Sequence, residues 1–264
     1  WVDVQAFNVA ARYKVVQDDQ NVSTSHDVQD SSGFKARVKA DRAGRIALNV
    51  GVFTGGSFAS SWNSTGIGAA ELSQPMNVKQ LSLSVSPFKG TEAQVGSLYL
   101  VRGESTEITH YDNDGFLTGE RLTVKRPGQL FFDEITVTNG YLGDLKTTNA
   151  FERADRLNDF NFRQMLVGKK VGTRVAMSAE WIDAVDQETW RGAVAVKVPR
   201  FVDAVRVEYY ARPDADARGG GVSLERTLPR RIAVAGGYAH VDAQVGSLTG
   251  DKFGRGERVF GSVT

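Results

Sequence analysis

GFKARVKADRAGRIALNVGVFTGG, residues 33–56, decides the fold. From Phe34 every second residue is apolar or small (Phe34, Ala36, Val38, Ala40), and the residues between are Lys35, Arg37, Lys39 and Asp41. After a break at Arg42-Ala43-Gly44-Arg45, alternation returns with Ile46, Leu48, Val50 and Val52 set against Ala47, Asn49, Gly51 and Phe53. A period of two belongs to the β-strand, whose successive side chains point to opposite faces. Two such runs joined by a short glycine-containing break read as a hairpin. The ribbon has one apolar face and one charged face, and its bases stand where a soluble sheet would meet water.

The same pattern extends outward over the whole chain of 264 residues, giving fourteen predicted strands: 2–16, 34–42, 45–54, 77–86, 92–102, 116–126, 130–142, 160–171, 174–184, 189–198, 204–212, 222–228, 231–243 and 257–264. No helical period competes with them. Most run to about nine to thirteen residues, longer than the five or six usual in soluble sheets. The connections alternate in length. Long ones (17–32, 55–76, 103–115, 143–159, 213–221, 244–256) follow the odd strands, with 185–188 as a short exception, and tight ones (43–44, 87–91, 127–129, 172–173, 199–203, 229–230) follow the even strands. All six prolines fall in connections, as expected if strand interiors need every N–H for the ladder. Aromatic residues that open even strands (Phe34, Phe116, Phe160, Trp190) or lie late in odd ones (Tyr13, Phe53, Tyr99, Tyr141, Trp181, Tyr209, Tyr238) would all gather at the long-loop end.

Long alternating strands, tight turns at one end, large loops at the other and an aromatic girdle form the signature of a transmembrane up-and-down antiparallel β-barrel with an apolar exterior and a polar lumen. About fourteen strands are expected, within a range of twelve to sixteen, as a single transmembrane domain over 1–264. A closed barrel also satisfies every edge hydrogen bond, which hydrocarbon demands. The mean hydropathy of −0.28 agrees, because only alternate residues of such a barrel touch lipid. A soluble β-sandwich also alternates, yet its two ends have no reason to differ in loop length.

In this pattern, over essentially its whole length, the chain resembles the bacterial outer-membrane porins. The resemblance implies a passive channel for small hydrophilic or anionic solutes and outer-membrane lipid around the barrel; because the inferred number of strands is even, both termini are expected in the periplasm. A homo-oligomer or a partner protein remains compatible with it. So does the alternative that the barrel is structural, enclosing or anchoring another protein. Porins usually end on an aromatic residue, whereas GERVFGSVT stops at Thr264 with Phe260 the nearest candidate.

Composition removes other classes. No stretch approaches the ~18 apolar residues of a membrane helix. With 32 Lys and Arg against 31 Asp and Glu, the net charge of +1 gives no sign of a nucleic-acid partner. Cysteine is absent, which removes disulfides, thiolate metal sites and thiol nucleophiles. The first residue is Trp1, which fits a chain cleaved after an export signal and equally a trimmed one.

No cofactor, metal or enzymatic activity is expected. His240 and Asp242 share one strand face, but they read as ordinary polar residues near a strand end, and His26 and His110 fall in predicted loops. HYDNDGFLTGE (110–120) stacks Asp112, Asn113 and Asp114 before Gly115, yet Arg121 stands where a calcium loop needs its bidentate glutamate, so a turn tip is expected. GIGAA (66–70) and RGGGVS (218–223) lack the strand-turn-helix setting of a nucleotide loop and read as flexible loops. What remains is the polar face. With the apolar phase turned outward, the pore-lining set is Arg12, Lys35, Arg37, Lys39, Arg121, Lys125, Arg174, Arg191, Lys197, Arg206 and Arg212, with Lys14 and Arg258 in the same phase. Only Asp41, Glu180, Glu208 and Glu225 oppose them. The excess of bases is expected to be unpartnered on that face and to favour anions.

Overall fold

The computed structural model describes residues 1–264 except 18–22, 59, 69–70, 74, 105–115, 186, 199, 230–231, 245–255 and 264. Among the described residues there are fifteen strands: β1 (Val2–Gln17), β2 (Ser23–Lys39), β3 (Ile46–Thr54), β4 (Trp62–Gly68), β5 (Met76–Val85), β6 (Thr91–Tyr99), β7 (Phe116–Lys125), β8 (Glu134–Tyr141), β9 (Phe162–Val171), β10 (Val175–Ala184), β11 (Gln187–Val198), β12 (Val202–Arg212), β13 (Ala217–Leu228), β14 (Ile232–Val241) and β15 (Gly256–Val263). They belong to one sheet whose neighbours follow chain order from β1 to β15, except that β4 leaves the path and pairs with β2. All fourteen predicted strands have counterparts. The predicted loops hold more strand than expected: β4 lies within 55–76, β13 begins at Ala217 within 213–221, and β2 begins at Ser23, well before Phe34. The stretch STSHDVQDSS is polar at nearly every position and so has no periodic signal, yet its backbone pairs with β1 as far as Gln17↔Ser23.

Residues 1–100, 112–121 and 140–160 form one compact unit; residues 101–111, 122–139 and 161–264 form another. In the first, β1 and β2 pair with a register shift between Val4 and Ala6. The extra residue, Gln5, is a β-bulge that lets Val2 and Val4 share a face with Phe7 and Val9, although simple alternation would separate them. Phe7 is 75% exposed and Val9 68%. On β3 the burial runs the opposite way to a soluble strand: Ile46 and Leu48 are exposed while Ala47 and Asn49 are buried. Asn49 donates from Nδ2 to Ser84 Oγ at 2.8 Å, so buried polar groups on this face are satisfied within it.

In the second unit the same inversion is laid out across six strands. Met177, Val194, Val207, Val222, Tyr238 and Val259 are paired in turn, and all are exposed. On the opposite face, Glu180 pairs with Arg191, Arg191 with Tyr210 and Tyr210 with Gly219, all four buried. The Tyr210 ring lies over Gly219, where a Cβ would collide with it, and its hydroxyl accepts the N–H of Asp242 at 2.9 Å. A β-sandwich needs its apolar side chains covered by a second sheet. Here the uncovered face is the apolar one, and the sandwich alternative is set aside.

The girdle is only partly as expected. Tyr13, Phe34, Phe160, Trp190, Tyr209 and Tyr238 are exposed, but Phe53, Tyr99 and Phe116 turn to the other face. There Phe53, Phe58 and Phe116 form a buried cluster with Tyr99 and Leu145 packed on it. Phe53 simply follows the parity of Asn49 and Gly51. Next to it the register of β3 and β5 shifts between Gly51 and Val52, which brings consecutive residues Lys79 and Gln80 to burial together.

Candidate functional site

The polar face is built from β2 outward in the first unit. Lys35, Arg37 and Lys39 occupy alternate positions of β2, opposite Gly51, Asn49 and Ala47 of β3. Lys35 Nζ lies 4.0 Å from the centre of the Tyr99 ring and 5.5 Å from that of Phe53, so its charge rests on aromatic faces. Arg37 pairs with Glu92 at 3.1 Å, and Lys39 with Asp3 at 3.7 Å. Arg12 donates to Gln29 Oε1 at 2.8 Å and stacks 4.0 Å from the Trp62 ring of β4. Arg121 is buried and donates to the Tyr99 carbonyl. The side chain of Lys14 lies outside the described residues.

Two further cations on this face have no counterpart in the sequence reading. Lys79 is fully buried and donates to the carbonyls of Ser57 at 2.7 Å and Ser60 at 2.6 Å. Arg153 is 1% exposed and donates to Thr118 Oγ1 at 3.0 Å and to the carbonyls of Gly143 (2.9 Å), Asp144 (2.8 Å) and Thr147 (3.3 Å). Its guanidinium also lies 4.1 Å from the Phe58 ring. Burial pulls its pKa below the usual arginine value, because desolvation penalises the charged form. Together they fasten Ser57, Ser60 and residues 143–147 over the polar face, so these connections fold across the sheet. Only the register shift and the loop path put the two bases there.

In the second unit Arg191 and Glu180 form a buried ion pair, with Arg191 Nε 3.1 Å from Glu180 Oε2. Gln164 donates both to Glu180 and to the carbonyl of Val101, the latter at 2.8 Å. Ser178 Oγ donates to the Glu104 carbonyl at 3.3 Å, and a Cβ on Gly103 would collide with Ser178. Residues 101–104 therefore cross the polar face of β9 and β10 closely enough to require glycine. Arg206 pairs with Glu225 at 2.6 Å and with Glu104 at 4.0 Å. Lys125 pairs with Glu134 at 3.0 Å. Arg212 pairs with Asp214 and donates to the Gln244 carbonyl at 2.7 Å. Arg174 and Lys197 are exposed beside one hairpin turn, joined through Lys197 N–H to Arg174 O at 2.8 Å. Arg258 is also exposed.

Most of these cations thus have a counter-charge or an aromatic partner, which corrects the expectation of an unpartnered excess. Asp3, Glu92, Glu104, Glu134 and Asp214 supply the missing acids. They come from strand ends, other strands and connections, and no single-strand count brings them together.

The remaining candidates do not assemble. His26 is exposed on β2, His240 is exposed beside Gly220 and Glu257, and His110 lies outside the described residues, as does most of 110–120. The Asp242 carboxylate accepts from Gln244 N–H at 2.7 Å. Gly66 and Gly68 belong to β4, and Gly219 to Gly221 belong to β13, rather than to flexible loops. Among the described residues no group of three or more His, Asp or Glu is placed to hold a metal.

No protein-family model matches the chain, and no curated protein matches it in sequence. Solved structures do resemble it. The high-pH structure of OprB from Pseudomonas putida superposes with a TM-score of 0.58 at 11% identity, covering 92% of this chain and 76% of that one. A mutant of the Rhodopseudomonas blastica porin superposes with a TM-score of 0.51 at 9% identity, covering 100% of this chain and 98% of that one. The chain has the porin fold.

Proposed function

We propose that residues 1–264 act as one transmembrane barrel in a bacterial outer membrane, with both termini periplasmic, and provide a passive diffusion path for small hydrophilic solutes with a modest preference for anions. The observation that carries this reading is the inverted burial. Apolar rows such as Met177, Val194, Val207 and Val222 are exposed, while charged rows face Ser57, Ser60 and segments 101–104 and 143–147 of the chain itself. An apolar exterior suits hydrocarbon and a polar interior suits water. Lys35, Arg37, Lys39, Arg12, Arg121, Lys125, Arg174, Arg191, Lys197, Arg206 and Arg212 then line or flank the path. Porin-like solved structures support the barrel; the solute follows from the face alone.

The preference for anions rests on net charge: the eleven bases named above outnumber the acids placed among them, Asp3, Asp41, Glu92, Glu104, Glu134, Glu180, Glu208, Asp214 and Glu225. In a lumen a few side chains wide, every ion passes within about a Debye length, ~8 Å at physiological salt, of fixed charge. Planar-bilayer recording across a salt gradient tests it. The wild-type reversal potential is expected to favour anions and to weaken with salt. Changing Lys35, Arg37 and Lys39 together to Glu is expected to reduce or reverse it, because Asp3 and Glu92 then meet like charge. A cation-selective wild type would overturn the anion preference, and a barrel without conductance would overturn the channel in favour of an anchoring role.

A further inference from the structure

The hairpin ends with short connections carry phenylalanines that the fold holds in the open. Between β7 and β8, Phe131 is 83% exposed, with the Phe132 ring edge-on at 4.9 Å. The turn is pinned: the Asp133 carboxylate accepts the N–H groups of Gly128 at 3.0 Å and Lys170 at 2.7 Å, and Asp133 N–H donates to the Gly168 carbonyl at 2.9 Å. Between β11 and β12, Phe201 is 73% exposed. Its carbonyl accepts from Arg226 at 2.9 Å, and Arg200 before it holds a positive φ of 92°. A ring held out by hydrogen bonds on both sides is not a loop tip that could fold it away. Phe88, 67% exposed in the turn between β5 and β6, repeats the feature in the other unit.

The charge at these ends is one-sided. The short connections 40–45, 86–90, 126–133, 172–174 and 200–201 hold six Arg and Lys (Arg42, Arg45, Lys89, Arg126, Arg174, Arg200) against two acids, Asp41 and Asp133. Both acids are engaged as acceptors for strand N–H groups. Connections at the opposite ends are acidic, as in PDAD, 213–216. Exposed phenylalanine beside exposed Arg and Lys is the chemistry of a membrane interface, where rings enter the headgroup boundary and cations meet phosphate.

We propose that the short-turn end is a lipid-binding surface that selects anionic phospholipid headgroups in the leaflet it meets. Phe131 and Phe201 are the inserted rings; Lys170 and Arg200, both exposed, are the phosphate-facing cations. The proposal rests on the barrel reading. A partner protein or cell-wall polymer would also meet cations, but it gives no reason to hold single phenylalanines bare among them.

The absence of cysteine makes the test clean. Phe131→Cys, Phe201→Cys and, at the opposite end, Asp214→Cys are each labelled with an environment-sensitive fluorophore on the full chain. The chain is folded into vesicles of phosphatidylcholine, or of phosphatidylcholine with phosphatidylglycerol, with either lipid carrying a headgroup-level quencher. Labels at 131 and 201 are expected to be quenched, and phosphatidylglycerol to be favoured over phosphatidylcholine by about fivefold for each cation engaged. The label at 214 is expected to stay in water. Lys170→Gln with Arg200→Gln should remove most of the lipid preference while leaving the rings quenched. Labels at 131 and 201 that remain in water, or equal quenching by both lipids, would overturn the proposal. Shielding that appears only on adding peptidoglycan fragments or periplasmic extract would overturn it in favour of a partner. Conductance of the same vesicles separates the two readings: a conducting barrel with water-exposed labels sinks this proposal alone, and a silent barrel with lipid-bound labels sinks the channel alone.

Discussion

Replacing Val194 by Arg places a charge in the middle of the exposed apolar row. Val194 pairs with Met177 on one side and Val207 on the other, so its immediate cross-strand neighbours offer no acid. It stands four residues from Val198, where β11 ends at the turn. At ~3.4 Å per residue and a tilt of about 40°, that is roughly 10 Å along the membrane normal, close to the middle of an apolar band ~25 Å tall. An arginine there costs about 2–4 kcal/mol, falling to about 0–1 near an interface. The first figure is about a 30- to 900-fold shift in the unfolding equilibrium. Val171, on the same face but at the turn end of β9, supplies the interfacial comparison, and Arg37→Gln supplies the opposite face. Arg37 is only partly buried with Glu92, so its loss should cost about 0.2–1 kcal/mol. Denaturant unfolding of the chain in lipid vesicles, followed by tryptophan fluorescence, gives all three values. If Val194→Arg costs no more than Val171→Arg or Arg37→Gln, the apolar row does not face hydrocarbon and the argument fails.

Two other outcomes follow from single contacts. Arg191→Met strands the buried Glu180 carboxylate without its cation and should cost about 3–5 kcal/mol, most of it recovered by adding Glu180→Gln; a double-mutant cycle with no coupling would show that the pair is not formed. The Asp133 pKa is lowered by the Lys170 and Gly128 N–H groups that it accepts, with Lys169 adding to the effect. Its contribution is therefore full above the ordinary carboxylate value of about 3.9 and disappears as pH falls through the lower folded value. Amide exchange at Lys170 should lose protection in that window in the wild type and be weakly protected at every pH in Asp133→Asn; protection unchanged down to pH ~2 would remove the clip from the account.

The sequence is legible wherever one strand carries the whole message. The β2–β3 ribbon declares its faces because Phe34, Val38 and Leu48 alternate with Lys35, Arg37 and Asn49 without interruption. Where a bulge intervenes, parity misleads: Gln5 shifts the phase inside β1, and Lys79 and Gln80 are buried in succession on β5. WNSTGIG was unreadable as a strand because it lacks alternation and holds Gly66 and Gly68 at positive φ; its partner is the equally polar start of β2. Ion pairs were the least visible of all. Arg37 reaches Glu92 on β6, with β3 and β5 between the two strands in sheet order, and Arg206 reaches Glu104 in a connection. Those contacts depend on the curvature of the sheet and the path of a loop, neither of which has a period.

Pairing does not silence the proposed selectivity, but it limits it. A guanidinium that spends one edge on a carboxylate keeps further N–H donors for a passing anion, and the pair holds it in place, so less ordering is needed when the anion arrives. Against this, each nearby carboxylate repels the same anion over the same few ångströms, and the field at the centre of the path is set by the difference. Arg206 stands against two carboxylates, Glu225 and Glu104, and Arg37 against Glu92, so the field of Arg206 is cancelled more. Changing Arg37 alone to Gln should therefore lower anion selectivity more than changing Arg206 alone, although the two head groups are the same. Reversal potentials of the two single variants decide it: equal losses, or a larger loss at Arg206, would mean that position along the path rather than residual charge governs passage.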